Sequence, residues 1–262
     1  MFGVMAGRWY EKPTNGDGAA LVHRTTLLRA ADVRTPHAVY DERRKRLKIE
    51  HCVGERGDVF LSRRHPHSTA VEDLTRLLRP LVTLHSVRID HSLLDRFDPW
   101  RRIRPRLDAM SGPLRVEFDD LVRRMDPLVT ALCRGGVVHG DFHPGQLIVP
   151  LDGDPWLLDL DDLATGAPEV DLGNLVAYLA TAVPTTEPRA HAFHHAEGLV
   201  AAAYHSATSR AADWGLLRLS GATALIRRSL KLHERGASDD WLRRWGSVTD
   251  ELVLPSDGSE PS

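Results

Sequence analysis

The stretch His139-Gly-Asp-Phe-His-Pro-Gly-Gln-Leu-Ile-Val149 decides how this chain is read, because it sets a polar loop between two short apolar runs, Val137-Val138 and Leu147-Ile148-Val149. Apolar runs bounded by glycine and proline read as buried strands. The loop therefore carries His139, Asp141 and Gln146 at the end of one strand and the start of the next. Asp141 stands five positions before Gln146. Loops that transfer phosphoryl groups place an aspartate that takes a hydroxyl proton five residues before an amide whose oxygen helps hold magnesium. About ten residues further on, PWLLDLDD (155–162) repeats the arrangement and delivers Asp159, Asp161 and Asp162 at a strand end. A carboxylate there is the second part of a magnesium site, since magnesium takes hard oxygen ligands and keeps several waters.

Working outward, residues 3–11 (GVMAGRWYE) read as a strand, followed by the turn cluster KPTNGDG. Ala20, Leu21, Leu27, Leu28 and Ala31 recur at helical spacing and predict a helix over 19–31. Residues 37–42 and 46–55 predict a hairpin, and VFLS (59–62) a short edge strand. Beyond 62–68 the periods lengthen and predict helices over 69–87 and 114–133, with further helices from Asp171 to about Trp245. This pattern predicts an α+β chain divided into a β-rich lobe over 1–62, a mainly helical lobe over 63–254 and a polar tail over 255–262.

The bulk numbers exclude several classes. With 262 residues, 42% of them hydrophobic, the chain can bury a substantial core. Lys and Arg number 34 against 36 Asp and Glu, a net charge of −2, which argues against nucleic acid as a partner. No run reaches the about 18 apolar residues of a membrane span, and the expectation is a cytoplasmic protein whose partner is a small molecule. Cys52 and Cys133 are too few for a disulfide framework and are expected as buried small hydrophobes.

HGDFHPGQ followed by LLDLDDLATGAPEVDLGN resembles the signature of aminoglycoside phosphotransferase-type and choline kinase-like enzymes, in which HGDxHxxN precedes a strand ending in Asp and an Asp-Leu-Ala or Asp-Leu-Gly element. LRPLVTLHSV (78–87) is similar to a family helix ending in Leu-His, and residues 31–55 carry a weaker likeness. The resemblance implies a protein-kinase-like two-lobe fold, with a hinge near 50–55, and an ATP- and Mg2+-dependent transfer to a hydroxyl of a small molecule. It implies Asp141 as catalytic base, Asp159 and Gln146 as metal ligands, and adenine bound against Glu50, His51, Cys52 and Val53. His139, Asp161 and Asp171 take supporting roles, with Asp171 a buried brace of the catalytic loop. A pseudokinase acting as a binding or regulatory module is the alternative.

Two features depart from the family pattern. Gln146 replaces the usual Asn, one methylene longer. The sequence before the first helix is too short for two strands with a glycine-rich turn and a strand lysine, so the lysine–glutamate pair is expected to be absent. Gly7 or Arg8 falls near the expected lysine, and Arg8 and Lys12, the nearby cations, read as surface charges. Elsewhere, RRIRPR (101–106) reads as a solvated connection between helices. His191 and His195, one helical turn apart, have zinc-like spacing but read as a solvated face. Trp100, Trp156, Trp214, Trp241 and Trp245 read as core or lobe-packing residues.

Overall fold

The computed structural model describes residues 9–14, 17–64, 70–182 and 189–253. Strand β1 (Trp9–Pro13) is followed by helix α1 (Gly18–Ala30), β2 (Ala38–Asp41) and β3 (Arg46–Glu50). These strands form an antiparallel sheet in the order β1-β3-β2, with Lys12 opposite Leu47 and Tyr40 opposite Leu47 on the other edge. Asp17 caps α1 by accepting from the Ala19 and Ala20 amides at 3.0 Å. Along β3, Leu47 and Ile49 are buried while their neighbours are half-buried, the period of two that a one-sided sheet requires.

The chain crosses to the helical part through β4 (Glu55–Arg56) and α2 (Gly57–Arg64). VFLS is thus helical rather than a strand. Phe60 and Leu61 are adjacent and both buried, and the Ser62 hydroxyl donates back to the Asp58 carbonyl at 2.8 Å. Alternation in a strand would turn one of that pair outward.

Helix α3 (Val71–Ser86) buries Leu74, Leu77, Leu78, Leu81 and Leu84 on one stripe. At about 1.5–3 kcal/mol for each fully buried leucine, that stripe is the main reason the helix forms where it does. After β5 (Asp95–Arg96) come α4 (Arg104–Ala109) and α5 (Pro113–Met125). The helix expected over 114–133 ends at Met125, just before Asp126-Pro127, and resumes only as a 3-10 turn over Val129–Cys133. Proline disfavours helical backbone in the residue before it.

Strands β6 (Gly136–Val138), β7 (Leu147–Val149), β8 (Trp156–Leu157) and β9 (Ala164–Gly166) then build two small sheets, β4-β7-β8 and β5-β9-β6. Helices α6 (Glu169–Ala182), α7 (Arg189–Thr208), α8 (Trp214–His233) and α9 (Asp239–Val253) complete the chain. Helix α6 is central and buried nearly all round. It meets α8 at Gly173, where an added Cβ would lie 2.4 Å from the Ser220 hydroxyl oxygen and 2.5 Å from the Gly221 nitrogen. Only glycine permits that approach, and the approach brings the C-terminal half of α8 over the loop after β6.

Trp100 and Trp245 are buried, Trp156 and Trp241 partly so, but Trp214 is 47% exposed and does not belong to the core. Cys52 and Cys133 are only half-buried. Among the described residues no helix is long and apolar enough to cross a membrane.

Candidate active site

The two strand-end loops meet around one buried ring. His139 is fully buried; its Nε2 pairs with the Leu158 carbonyl at 2.8 Å, and its Nδ1 accepts the Asp141 amide at 3.3 Å. Donation to a carbonyl at one nitrogen and acceptance at the other fix the neutral Nε2–H tautomer. One imidazole thus ties the residue before Asp159 to Asp141. Asp171, at the start of α6 and fully buried, accepts the His139 and Gly140 amides at 2.8 Å each and pairs with His85 of α3 at 3.0 Å. Gly140 has φ +81°, and a Cβ there would lie 2.4 Å from the Asp162 carbonyl oxygen. The loops pass too closely for any other residue.

Asp159 itself has left-handed backbone, φ 57° and ψ 60°. A non-glycine residue there costs of order 1 kcal/mol or more and is held by its surroundings. Its side chain faces the small upper sheet: Lys12 of β1 donates to Asp159 Oδ1 at 3.0 Å and to Asp161 Oδ2 at 2.9 Å. Lys12 is therefore part of this cleft, bridging two loop carboxylates, which corrects the reading of it as a surface charge. Arg8 lies outside the described residues. Helix α1 holds no acidic residue between Gly18 and Ala30, so the lysine pairs with loop carboxylates rather than with a helix glutamate. Burial opposes the charge on Lys12, but the bonds to Asp161 and Asp159 outweigh it and hold its pKa above the ordinary value. Burial likewise opposes ionisation of Asp159, and Lys12 reverses this, so the carboxyl sits below its usual range.

The Gln146 amide donates to Asp159 Oδ2 at 3.1 Å, so the extra methylene has not carried it away from the carboxylate. Asp159 and Asp161 offer hard carboxylate oxygens that converge on one cation, here the Lys12 ammonium, with the Gln146 amide beside them against Asp159. A divalent metal fits the same place with water and phosphate oxygens completing its shell. No cluster of three or more His, Cys, Asp and Glu residues suited to a metal exists among the described residues. The cleft above this group is walled by Tyr10, Leu21, Thr25, Leu47, Ile49 and Leu160. Glu50, His51, Cys52 and Val53 follow directly after Ile49. Glu50 is bound to the His37 amide at 3.0 Å, burial and then Glu50 raise the Cys52 thiol to about 11, and Val53 is largely exposed.

On the other side of His139, Asp141 is held by two guanidinium groups, Arg227 of α8 at 2.6 Å and Arg102 at 2.7 Å. Arg102 belongs to the run read as a solvated connection. It also pairs with Asp162, which in turn pairs with Arg101, so Arg102 and Asp162 are parts of the site rather than solvated charges. Burial would raise the Asp141 carboxyl, but Arg227 and Arg102 outweigh it and hold it below the usual range. Arg227 is further positioned by the Asn174 side chain at 3.0 Å. His143 stacks flat on Tyr178 with ring centroids 5.3 Å apart, and burial pushes its pKa down to about 4. His191 and His195 are exposed on α7, remote from this group in the chain.

Sequence reasoning missed Lys12, Arg102, Arg227 and His143 as members of the site. Of these only His143 carried a local signal, its place inside the HGDFHPGQ loop.

The architecture is that of protein-kinase-like small-molecule kinases. An amicoumacin kinase in complex with AMP-PNP, Ca2+ and Ami superposes with a TM-score of 0.67 at 13% identity, over 96% of this chain and 84% of that one. A choline/ethanolamine kinase family protein from Mesorhizobium loti gives 0.63 at 14% identity, over 95% and 83%. A choline kinase from Streptococcus pneumoniae gives 0.57 at 14% identity, over 95% and 87%. Comparison with curated proteins finds no match. The model of the phosphotransferase enzyme family matches residues 12–211, from the cleft lysine through α7, and the chain belongs to that family.

Proposed function

We propose that this protein transfers the γ-phosphoryl group of ATP to a hydroxyl of a small molecule. The observation that carries the reading is the shared bracing of Asp141 and Asp159 by His139, with Lys12 set against Asp159 from the opposite wall. Phosphoryl transfer asks a protein for positioning and charge neutralisation more than for covalent chemistry. Asp141, ionised at neutral pH, orients the acceptor hydroxyl and receives its proton as the new P–O bond forms and the bond to ADP breaks. Its lowered pKa suits a proton taken late rather than strong ground-state abstraction. Lys12 exchanges its carboxylate partners for phosphate oxygens when nucleotide enters. Asp159 and Gln146, with Asp161 beside them, would hold Mg2+, which would supply positive charge against the phosphates. Adenine lies between the upper sheet and Leu160, toward Glu50–Val53.

The absence of an acidic residue on α1 favours a second reading, a catalytically weak or inactive nucleotide-binding module. Two variants test both. Asp159→Ala is expected to abolish Mg2+-dependent binding of AMP-PNP in calorimetry, whereas Asp141→Ala keeps the affinity and loses ADP release. Equal loss of affinity in both variants refutes the division of roles. Tight nucleotide binding by the wild type with no turnover of any acceptor favours the second reading.

A further inference from the structure

The pocket on the far side of Asp141 from Lys12 is walled by α4 and the segment before it, by α6 and by α8. Five cations line it: Arg102, Arg106, Arg227, Arg228 and Lys231. Three carboxylates oppose them. Asp141 pairs with Arg102 and Arg227, Asp162 with Arg102, and Glu234 with Arg106 at 3.1 Å. Five against three leaves an excess of two positive charges, more once Arg101 claims its share of Asp162. The excess resides on Arg228 and Lys231, one turn apart on α8, neither of which has a carboxylate partner among the described residues. Arg228 lies 4.8 Å over the Tyr178 ring, and its Nε is buried with no hydrogen-bond partner.

A buried guanidinium nitrogen without an acceptor is costly and calls for one. Aromatic stacking holds the Arg228 plane in place, leaving its remaining N–H groups to meet an anion in a fixed fork. Lys231, exposed where Arg228 is half-buried, adds a second charge. An ammonium-bearing acceptor placed at Asp141 would face the unneutralised pair and be repelled.

We propose that the acceptor is an anionic hydroxy compound, whose phosphate or carboxylate group is bound by Arg228 and Lys231 while its hydroxyl meets Asp141. This rests on the kinase reading above and narrows its substrate class. It separates this chain from a choline kinase, whose named substrate is a cation. Burial depresses Arg228 and Lys231 below their ordinary pKa values, and the charges of Arg227 and Arg235 add to it, outweighing the attraction of Asp141.

The test uses the full chain, Arg228→Gln, Lys231→Gln and the double variant. Calorimetry at constant ionic strength measures binding of matched probes: glycerol, choline, glycerate and glycerol 3-phosphate, then glucose, glucosamine, gluconate and glucose 6-phosphate. ADP release with Mg-ATP is measured with each. The anionic probes are expected to bind and to be phosphorylated in preference to the neutral and cationic ones. Each single substitution should weaken anion binding roughly ten- to hundredfold, as expected for a lost charge-assisted bond, with AMP-PNP affinity unchanged. Preference for the phosphate probes assigns a phosphorylated acceptor, and preference for the carboxylates an acid. Equal binding of choline or glucosamine, anion binding unaltered in the double variant, or no anion bound at millimolar concentration would overturn the proposal. Loss of AMP-PNP affinity in place of acceptor affinity would assign the cations to the nucleotide and overturn it too. A wild type that binds anions but no Mg–AMP-PNP sinks the kinase reading instead and leaves the anion site standing.

Discussion

Replacing Lys12 by methionine separates what the cleft lysine does for stability from what it does for nucleotide. In the folded chain it bridges Asp159 and Asp161, but its side chain is 28% exposed and theirs are 42% and 50% exposed. Partly solvated pairs of this kind contribute about 0.2–1 kcal/mol. Lys12→Met should therefore shift Tm by no more than roughly 2–4 °C in a chain of this size. The same ammonium aimed at phosphate oxygens acts where charge develops during transfer. Losing one preorganised donor of that sort lowers the rate by about 100- to 1,000-fold, roughly 3–4 kcal/mol. The expected signature is a near-native melting curve, weakened AMP-PNP binding and ADP release down by two to three orders of magnitude. Nucleotide-free protein should also bind Mn2+ more tightly in the variant, because the ammonium no longer competes for the two carboxylates. Unchanged turnover with weaker metal binding, or a stability loss of several kcal/mol, would show that Lys12 is a structural tie and not a phosphate ligand.

Two further outcomes follow from buried groups. Asp171→Ala strands the His139 and Gly140 amides, both bonded at 2.8 Å to a fully buried carboxylate. Bonds to a charged group are worth about 1.5–3 kcal/mol each, so chemical denaturation should show a loss of about 3–5 kcal/mol; under 1 kcal/mol would mean water replaces the carboxylate. The second concerns pH. His143 ionises at about 4 when folded against an ordinary 6.5, so between these values the unfolded chain binds the extra proton and stability falls as pH falls. The difference amounts to about 3 kcal/mol. His143→Phe, which keeps the stack on Tyr178, should flatten the stability profile between pH 6.5 and 4, and an unchanged slope there would refute the assignment.

What the sequence made legible was local. The loop from His139 to Gln146 and the strand end at Asp159 could be read because short apolar runs and glycine–proline punctuation leave little choice of backbone. The α3 stripe of leucines was equally plain. The guanidinium groups on Asp141 were not, since Arg102 and Arg227 come from 39 and 86 positions away, the first from a run that reads as a solvated connection between helices. Lys12 lies 147 residues from Asp159, on a strand whose other residues carry no hint of a cleft. VFLS misled because β-branched and aromatic residues suit a strand until both members of an adjacent pair must be buried.

The single buried imidazole of His139 has a thermodynamic consequence. Because the same ring bonds Leu158 and Asp141, displacement of either loop is transmitted to the other within one side chain's length. Free-energy changes at the two aspartates cannot then be summed as independent quantities. In a double-mutant cycle the pair should show a coupling term well outside experimental error, so the kinetic loss in either single variant measures the shared frame as well as the residue removed.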